Sequence, residues 1–196
     1  MAYDPEATSQ RIYLAALDEF AKFGIAGARV ERIAQAAEAN KQAIYAYYGD
    51  KSRLFDTVLA RSMREVAESV PPDPDDLPGY VRRVAEYNSA NPKFLRLMLW
   101  EALERGDTQI ADEQARTEHY AEKADILGQA TPPGVDSRVL TLALLALASW
   151  PLAVPQVTRM LIGDTDGASG ELLDGIVTLV NGLSAVSGAR DGDVNL

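Results

Sequence analysis

Apolar residues recur along this chain at spacings of three and four, and they never alternate over a useful length, so the pattern predicts an all-α protein. The first amphipathic stretch, residues 8–23, gathers Ile12, Ala15, Ala16, Phe20 and Phe23 on one side. Thr8 is suited to cap its start, and Gly24 to end it with a left-handed residue. Two short helices are predicted over 30–37 and 41–47, joined by Glu38, Ala39 and Asn40. Asn40 can accept the orphaned N–H groups of the second, and Asp50, after Gly49, can cap a longer helix over 51–70.

The run PPDPDD at residues 71–76 then breaks the chain, because consecutive prolines cannot continue a helix. Beyond it the periodicity predicts helices over 77–90, 92–105, 108–129, 137–161 and 169–186, with a tail at 188–196 expected to be disordered. Residues 139–154 are almost wholly apolar, but the run is shorter than the roughly 20 residues a bilayer demands and contains Pro151. A buried core or interface helix is the expectation, bent at Pro151 and Pro155.

Charge changes the picture more than composition does. The 196 residues carry a net charge of -10, which at first argues against nucleic acid. Residues 22–64, however, hold eight basic side chains against four acidic ones, net +4, on a remainder of -14. A locally basic segment on an acidic body can bind DNA while the body discourages non-specific contact. There is no cysteine and a single histidine, His119, which removes thiolate catalysis, disulfides and a histidine zinc cluster. Residues 1–10 lack the basic and apolar run of a secretory signal, so a cytoplasmic location is expected.

Two brief helices joined by a three-residue turn form a helix-turn-helix pattern, in which the first residues of the second helix meet base edges. Those residues are Lys41, Gln42 and Ala43. Gln42 can bond bidentately to adenine, Lys41 can reach guanine or phosphate, and Ala43 can touch a thymine methyl. Tyr45, Tyr47 and Lys51 are candidate phosphate contacts, whereas Ile44 and Tyr48 fall on the apolar side with Leu54 and Phe55.

The stretches RIYLAALDEFAKFG (11–24), VERIAQAA (30–37) and NKQAIYAYYGDK (40–51) resemble the N-terminal domain of TetR-family regulators. The resemblance covers residues 8–60 and implies a dimeric all-α repressor whose variable C-terminal domain binds a small effector. It also implies that the last two long helices meet their partners in a four-helix bundle. Where the family often has threonine before the second helix, this chain has Ala28-Arg29, so Arg29 becomes a candidate backbone contact. Where the family usually places glycine in the turn, this chain has Glu38, which is strained if its φ is positive.

In the C-terminal half, Tyr80, Tyr87, Phe94, Met98, Trp100, Tyr120 and Trp150 could line an apolar cavity. Plain core packing is the commoner role for such aromatics; Tyr87, Met98, Trp100, Tyr120 and Trp150 are the effector-pocket candidates, and His119 reads as an ordinary solvated or hydrogen-bonded histidine. Residues 164–167, DTDG, look like part of a calcium loop but lack its third acid and its closing glutamate, so no metal site is expected. The two apolar helices over 137–161 and 169–186 predict an isologous dimer interface.

The sequence thus divides into a helix-turn-helix DNA-binding domain (1–50), a connecting helix (51–70), an effector-binding and dimerisation domain (77–187) and the tail. The expected function is a DNA-binding regulator, a homodimer released from a palindromic double-stranded operator by a small molecule, with no cofactor and no membrane. The alternative is a helical ligand-binding or partner-binding protein without operator control. An enzyme is disfavoured, since no Ser-His-Asp, metal or phosphate-loop arrangement can be assembled.

Overall fold

The computed structural model describes residues 5–163 and 170–188. Ten α-helices occur among them: α1 (Pro5–Gly27), α2 (Val30–Ala36), α3 (Lys41–Tyr48), α4 (Lys51–Ser69), α5 (Leu77–Ala90), α6 (Pro92–Arg105), α7 (Glu113–Leu127), α8 (Ser137–Ala153), α9 (Pro155–Ile162) and α10 (Gly170–Gly188). The all-α expectation holds. The calcium-like loop at 164–167, the start of the last predicted helix at Ser169 and the tail beyond Gly188 lie outside the described residues.

The chain forms two compact units, and they do not follow one another in sequence. The first comprises the residues up to Val66 together with Pro92–Ala111; the second comprises Ala67–Asn91 and the residues from Asp112 on. Periodicity had grouped residues 92–105 with the C-terminal half, but α6 packs in the first unit, where Leu97 is fully buried. There it joins Ile12, Ala16 and Phe20 of α1, Ile33 of α2, Ile44 of α3 and Leu54, Phe55 and Val58 of α4. Phe20 meets Phe55 edge to face at 5.2 Å, the arrangement favoured by ring quadrupoles. Arg105 of α6 pairs with Asp56 of α4 and lies 5.3 Å over the Phe55 ring.

The core of the second unit is built from Leu77, Tyr80, Val81 and Val84 of α5, Leu127 of α7, Leu140 and Leu144 of α8, and Leu173, Ile176 and Val180 of α10. Asp76 caps α5 by accepting from Gly79 N at 2.8 Å. Asp136 caps α8 by accepting from Arg138 N at 2.8 Å, and the Arg138 side chain beside it lowers its pKa to about 2.

Several boundaries differ from the sequence reading. α1 begins at Pro5, not at Thr8, because proline loses nothing at a helix start where the N–H has no partner anyway. Thr8 is instead buried inside the helix and accepts from Arg11 Nη2. The helix predicted over 108–129 starts at Glu113, after a turn in which Gly106 has φ 53° and Thr108 Oγ1 bonds back to Arg105 O; its last residues, Gly128–Ala130, tighten into a 3-10 turn.

The single bent helix predicted over 137–161 is two helices, α8 and α9, meeting at 88°. Pro151 stays inside α8; the break falls at Val154, held at φ -128°, ψ 64° by the proline that follows. Pro155 has no N–H for the Pro151 carbonyl, and the buried Thr158 hydroxyl donates to that oxygen at 3.0 Å in its place. No single helix among the described residues is long and apolar enough to cross a membrane.

Candidate nucleic-acid interface

The turn between α2 and α3 sets where α3, the candidate reading helix, begins. α2 ends at Ala36; Ala37 N bonds to Ile33 O at 2.9 Å, and Arg11 Nε of α1 donates to Ala37 O at 3.0 Å, closing the end of α2. Glu38 then adopts φ 50°, the left-handed conformation that its Cβ resists by about 1–2 kcal/mol. The reversal lets Ala39 N reach Ala34 O at 2.9 Å. Asn40 follows with extended geometry, and its Oδ1 accepts from Gln42 N at 2.8 Å, the cap predicted from sequence.

α3 has an inner and an outer face. Ile44 is 1 % exposed in the core, and Tyr48 packs against the same core with its hydroxyl 3.2 Å from Ser9 Oγ. Gln42 is exposed, as are Tyr45 (42 %) and Tyr47 (53 %), while Ala43 is half-buried. Lys41 pairs with Glu31 of α2 and stands 5.6 Å from the Tyr45 ring centroid. The hydrogen bond between them raises the pKa of Lys41 and lowers that of Glu31.

Arg29 precedes α2 with extended backbone and an exposed side chain, and its N–H donates to Glu19 Oε1 at 2.8 Å. Glu19 is nearly buried and also pairs with Arg32, so one carboxylate of α1 fixes the entry to α2. Lys51, expected from sequence to contact phosphate, is also engaged within the protein. Its Nζ donates to Ala26 O at 3.0 Å and Ala28 O at 3.1 Å, tying the start of α4 to the segment between α1 and α2.

That segment begins at a break inside α1. Gly24 has φ 70° and ψ -174°, so the left-handed residue predicted there is present although helical turns resume after it. The break separates Ala21 O from Ile25 N, which would otherwise be partners four residues apart. α6 supplies replacements: Arg96 Nε donates to Ala21 O at 2.6 Å and Trp100 Nε1 at 3.3 Å, while Glu104 accepts from Ile25 N at 2.8 Å and Ala26 N at 2.7 Å. A Cβ on Gly24 would come within 2.2 Å of Glu104 Oε1 and 2.8 Å of the Trp100 ring. Sequence reasoning missed Arg96 and Glu104, although their spacing from Trp100, four residues each way, marks one face of a helix.

The five effector-pocket candidates divide between the two units. Met98 packs on the core of the first unit and Trp100 holds Ala21 there, while Tyr87, Tyr120 and Trp150 belong to the second. None of the five lines a small apolar cavity in the second unit that is bounded by Ala85, Ala148, Pro151, Leu152, Leu172, Leu173 and Ile176. The second unit also holds a buried polar group with no hydrogen-bond partner, the Tyr80 hydroxyl, which burial pushes up to about 12. His119 is displaced below its ordinary pKa, first by burial and then by Lys123, whose own pKa is lowered by burial.

Residues 12–58 match the family described as bacterial regulatory proteins, tetR family, and residues 76–180 match the tetracyclin repressor-like C-terminal domain. The chain belongs to the TetR family. Among TetR-family relatives, the HTH-type transcriptional repressor SCO4008 of Streptomyces coelicolor is 46 % identical over 180 residues, covering 89 % of this chain and 94 % of the repressor. The repressor NicS of Pseudomonas putida is 30 % identical over 112 residues, about half of each chain. The crystal structure of the transcriptional regulator SCO4942 of S. coelicolor superposes with a TM-score of 0.77 at 32 % identity, over 90 % of this chain and 97 % of that one. This TetR-family chain is therefore a DNA-binding transcriptional regulator, with α2 and α3 as its helix-turn-helix.

Proposed function

We propose that the protein is a repressor that binds a palindromic operator as a homodimer, one α3 per half-site, and releases it when a small molecule occupies the second unit. The observation that carries the reading is the Asn40-capped α3, whose first turn holds Gln42 exposed beside Lys41 and Ala43 on a buried anchor, Ile44. Lys41, Gln42 and Ala43 read bases; Asn40 sets the helix start; Arg29, Tyr45 and Tyr47 contact phosphate. Lys51 serves the interface chiefly by holding the Ala26 and Ala28 carbonyls.

The homodimer reading is supported by apolar side chains that one copy leaves in water. Val139, Leu142 and Trp150 of α8, with Leu179 and Leu183 of α10, are each at least half exposed, and their spacings place them in stripes along their helices. In the effector reading, Tyr87, Tyr120 and Trp150 remain candidates, joined by the unsatisfied Tyr80 hydroxyl, which a ligand acceptor could engage.

Selecting bound duplexes from a random pool gives the operator, on which two variants separate the roles. Gln42→Ala is expected to cost about 1–3 kcal/mol and relax preference at one base position. Arg29→Ala is expected to weaken all sequences alike and reduce the salt slope by about one. Equal losses on every duplex for both variants would overturn the assignment.

A further inference from the structure

We propose that Glu104 of α6 is a positioning residue for DNA binding. It acts by holding the segment between α1 and α2 in the register that presents Arg29 to phosphate. The inference rests on the DNA-binding reading and adds to it a residue that never meets the nucleic acid.

The geometry is a splice. At Gly24 the backbone of α1 turns away from helical angles, and the ordinary bond from Ile25 N to Ala21 O is lost. One face of α6, at residues 96, 100 and 104, satisfies both sides of the gap: Arg96 and Trp100 take the carbonyl, and the two oxygens of Glu104 each take one N–H. A carboxylate accepting from two successive backbone N–H groups fixes the direction of both peptide planes, which a single contact would not.

Three residues later the chain reaches Arg29. Between them, the carbonyls of Ala26 and Ala28 are held by Lys51 and that of Gly27 by Arg32 Nη2 at 3.0 Å. On its N–H side the segment is therefore held by Glu104 at Ile25 and Ala26, by Gly24 O at Ala28 and by Glu19 at Arg29, and on its carbonyl side by two cations. Without Glu104 those other holds remain, but the Ile25 and Ala26 N–H groups lose their acceptors and can turn toward water, which loosens the approach to Arg29. Glu104 is itself exposed, so its removal leaves no hole in the core. Gly24 belongs to the same device, because any Cβ there would strike Glu104 and Trp100.

The test measures affinity for a duplex selected from a random pool by the wild-type chain, together with amide hydrogen exchange. Glu104→Ala should remain folded, exchange the Ile25 and Ala26 amides faster, and bind roughly tenfold more weakly. Glu104→Gln keeps one acceptor oxygen and should fall between the two. A purely structural role is separated by a double-mutant cycle: in an Arg29→Ala background the further cost of Glu104→Ala should shrink to less than about threefold.

An equal cost with and without Arg29, or wild-type affinity in Glu104→Ala, overturns the proposal. Unchanged exchange at Ile25 and Ala26 overturns the splice itself. Wild-type protein that binds no duplex in the pool overturns the DNA-binding reading, and the role of Glu104 with it; accelerated exchange in Glu104→Ala would still show that failure to be distinct from a failure of the splice.

Discussion

Glu38 shows how a single residue can be expensive and still leave the architecture unchanged. Its φ of 50° places a Cβ where glycine would have none, yet the reversal it permits brings Ala39 N to Ala34 O and sets Asn40 at the start of α3. The side chain is exposed and makes no packing contribution that glycine would forfeit. Glu38→Gly is therefore expected to raise stability by up to about 1 kcal/mol, the relief of left-handed strain less the greater freedom of glycine in the unfolded chain. Urea denaturation measures it, and a loss of stability would show that the Glu38 carboxylate has a stabilising role. Lys41 illustrates the opposite balance: it pairs with Glu31, and in the proposed reading DNA competes with that carboxylate for the ammonium.

At the scale of helices, the junction of α8 and α9 depends on one hydroxyl. Pro155 deprives the Pro151 carbonyl of a partner, and Thr158, 7 % exposed, supplies one at 3.0 Å. Thr158→Val preserves the shape and deletes the donor, so it should cost about 1–2 kcal/mol in urea denaturation. No measurable change would mean that water reaches the carbonyl. The two prolines were visible in the sequence, but which of them ends the helix was not. Local chemistry was legible where a residue acts on its own neighbours: Asn40 on Gln42 N, Asp50 on Arg53 N, and Gly24 as a left-handed position. The partner of α6 was not legible, because an amphipathic period states that a face is buried without stating against what. Trp100 is an example: its period does not reveal that the indole N–H donates to Ala21 O. The carbonyls that Lys51 holds were not legible either, since a lysine at a helix start serves a phosphate or a loop carbonyl equally well.

The whole molecule, in the proposed reading, is a dimer built through stripes that one copy cannot cover. Leu142 is 70 % exposed and Leu179 64 %, and both lie in the second unit. Replacing them together, Leu142→Arg with Leu179→Glu, is expected to give a folded monomer by light scattering and to reduce affinity for a palindromic duplex far more than for a single half-site. A dimer that survives both changes would place the interface elsewhere. The uneven charge, positive over residues 22–64 and negative over the rest, suits this assembly, because each copy brings its basic segment to DNA while the acidic bodies discourage other contacts.

The interleaved order of the two units limits how such a regulator can be recombined. Residues 92–111 belong with the chain up to Val66, although the proline-rich break at 71–76 is the obvious place to cut. A fragment ending there would lack Leu97 from its core, the Arg105 partner of Asp56 and the carboxylate that joins Ile25 to α6. A hybrid made by exchanging sensors at the prolines would thus receive a foreign α6 against its own α1. To transplant DNA specificity intact, the graft must carry two pieces of chain and cross between parents three times, so inheritance of the reading head is tied to part of what looks like the sensor.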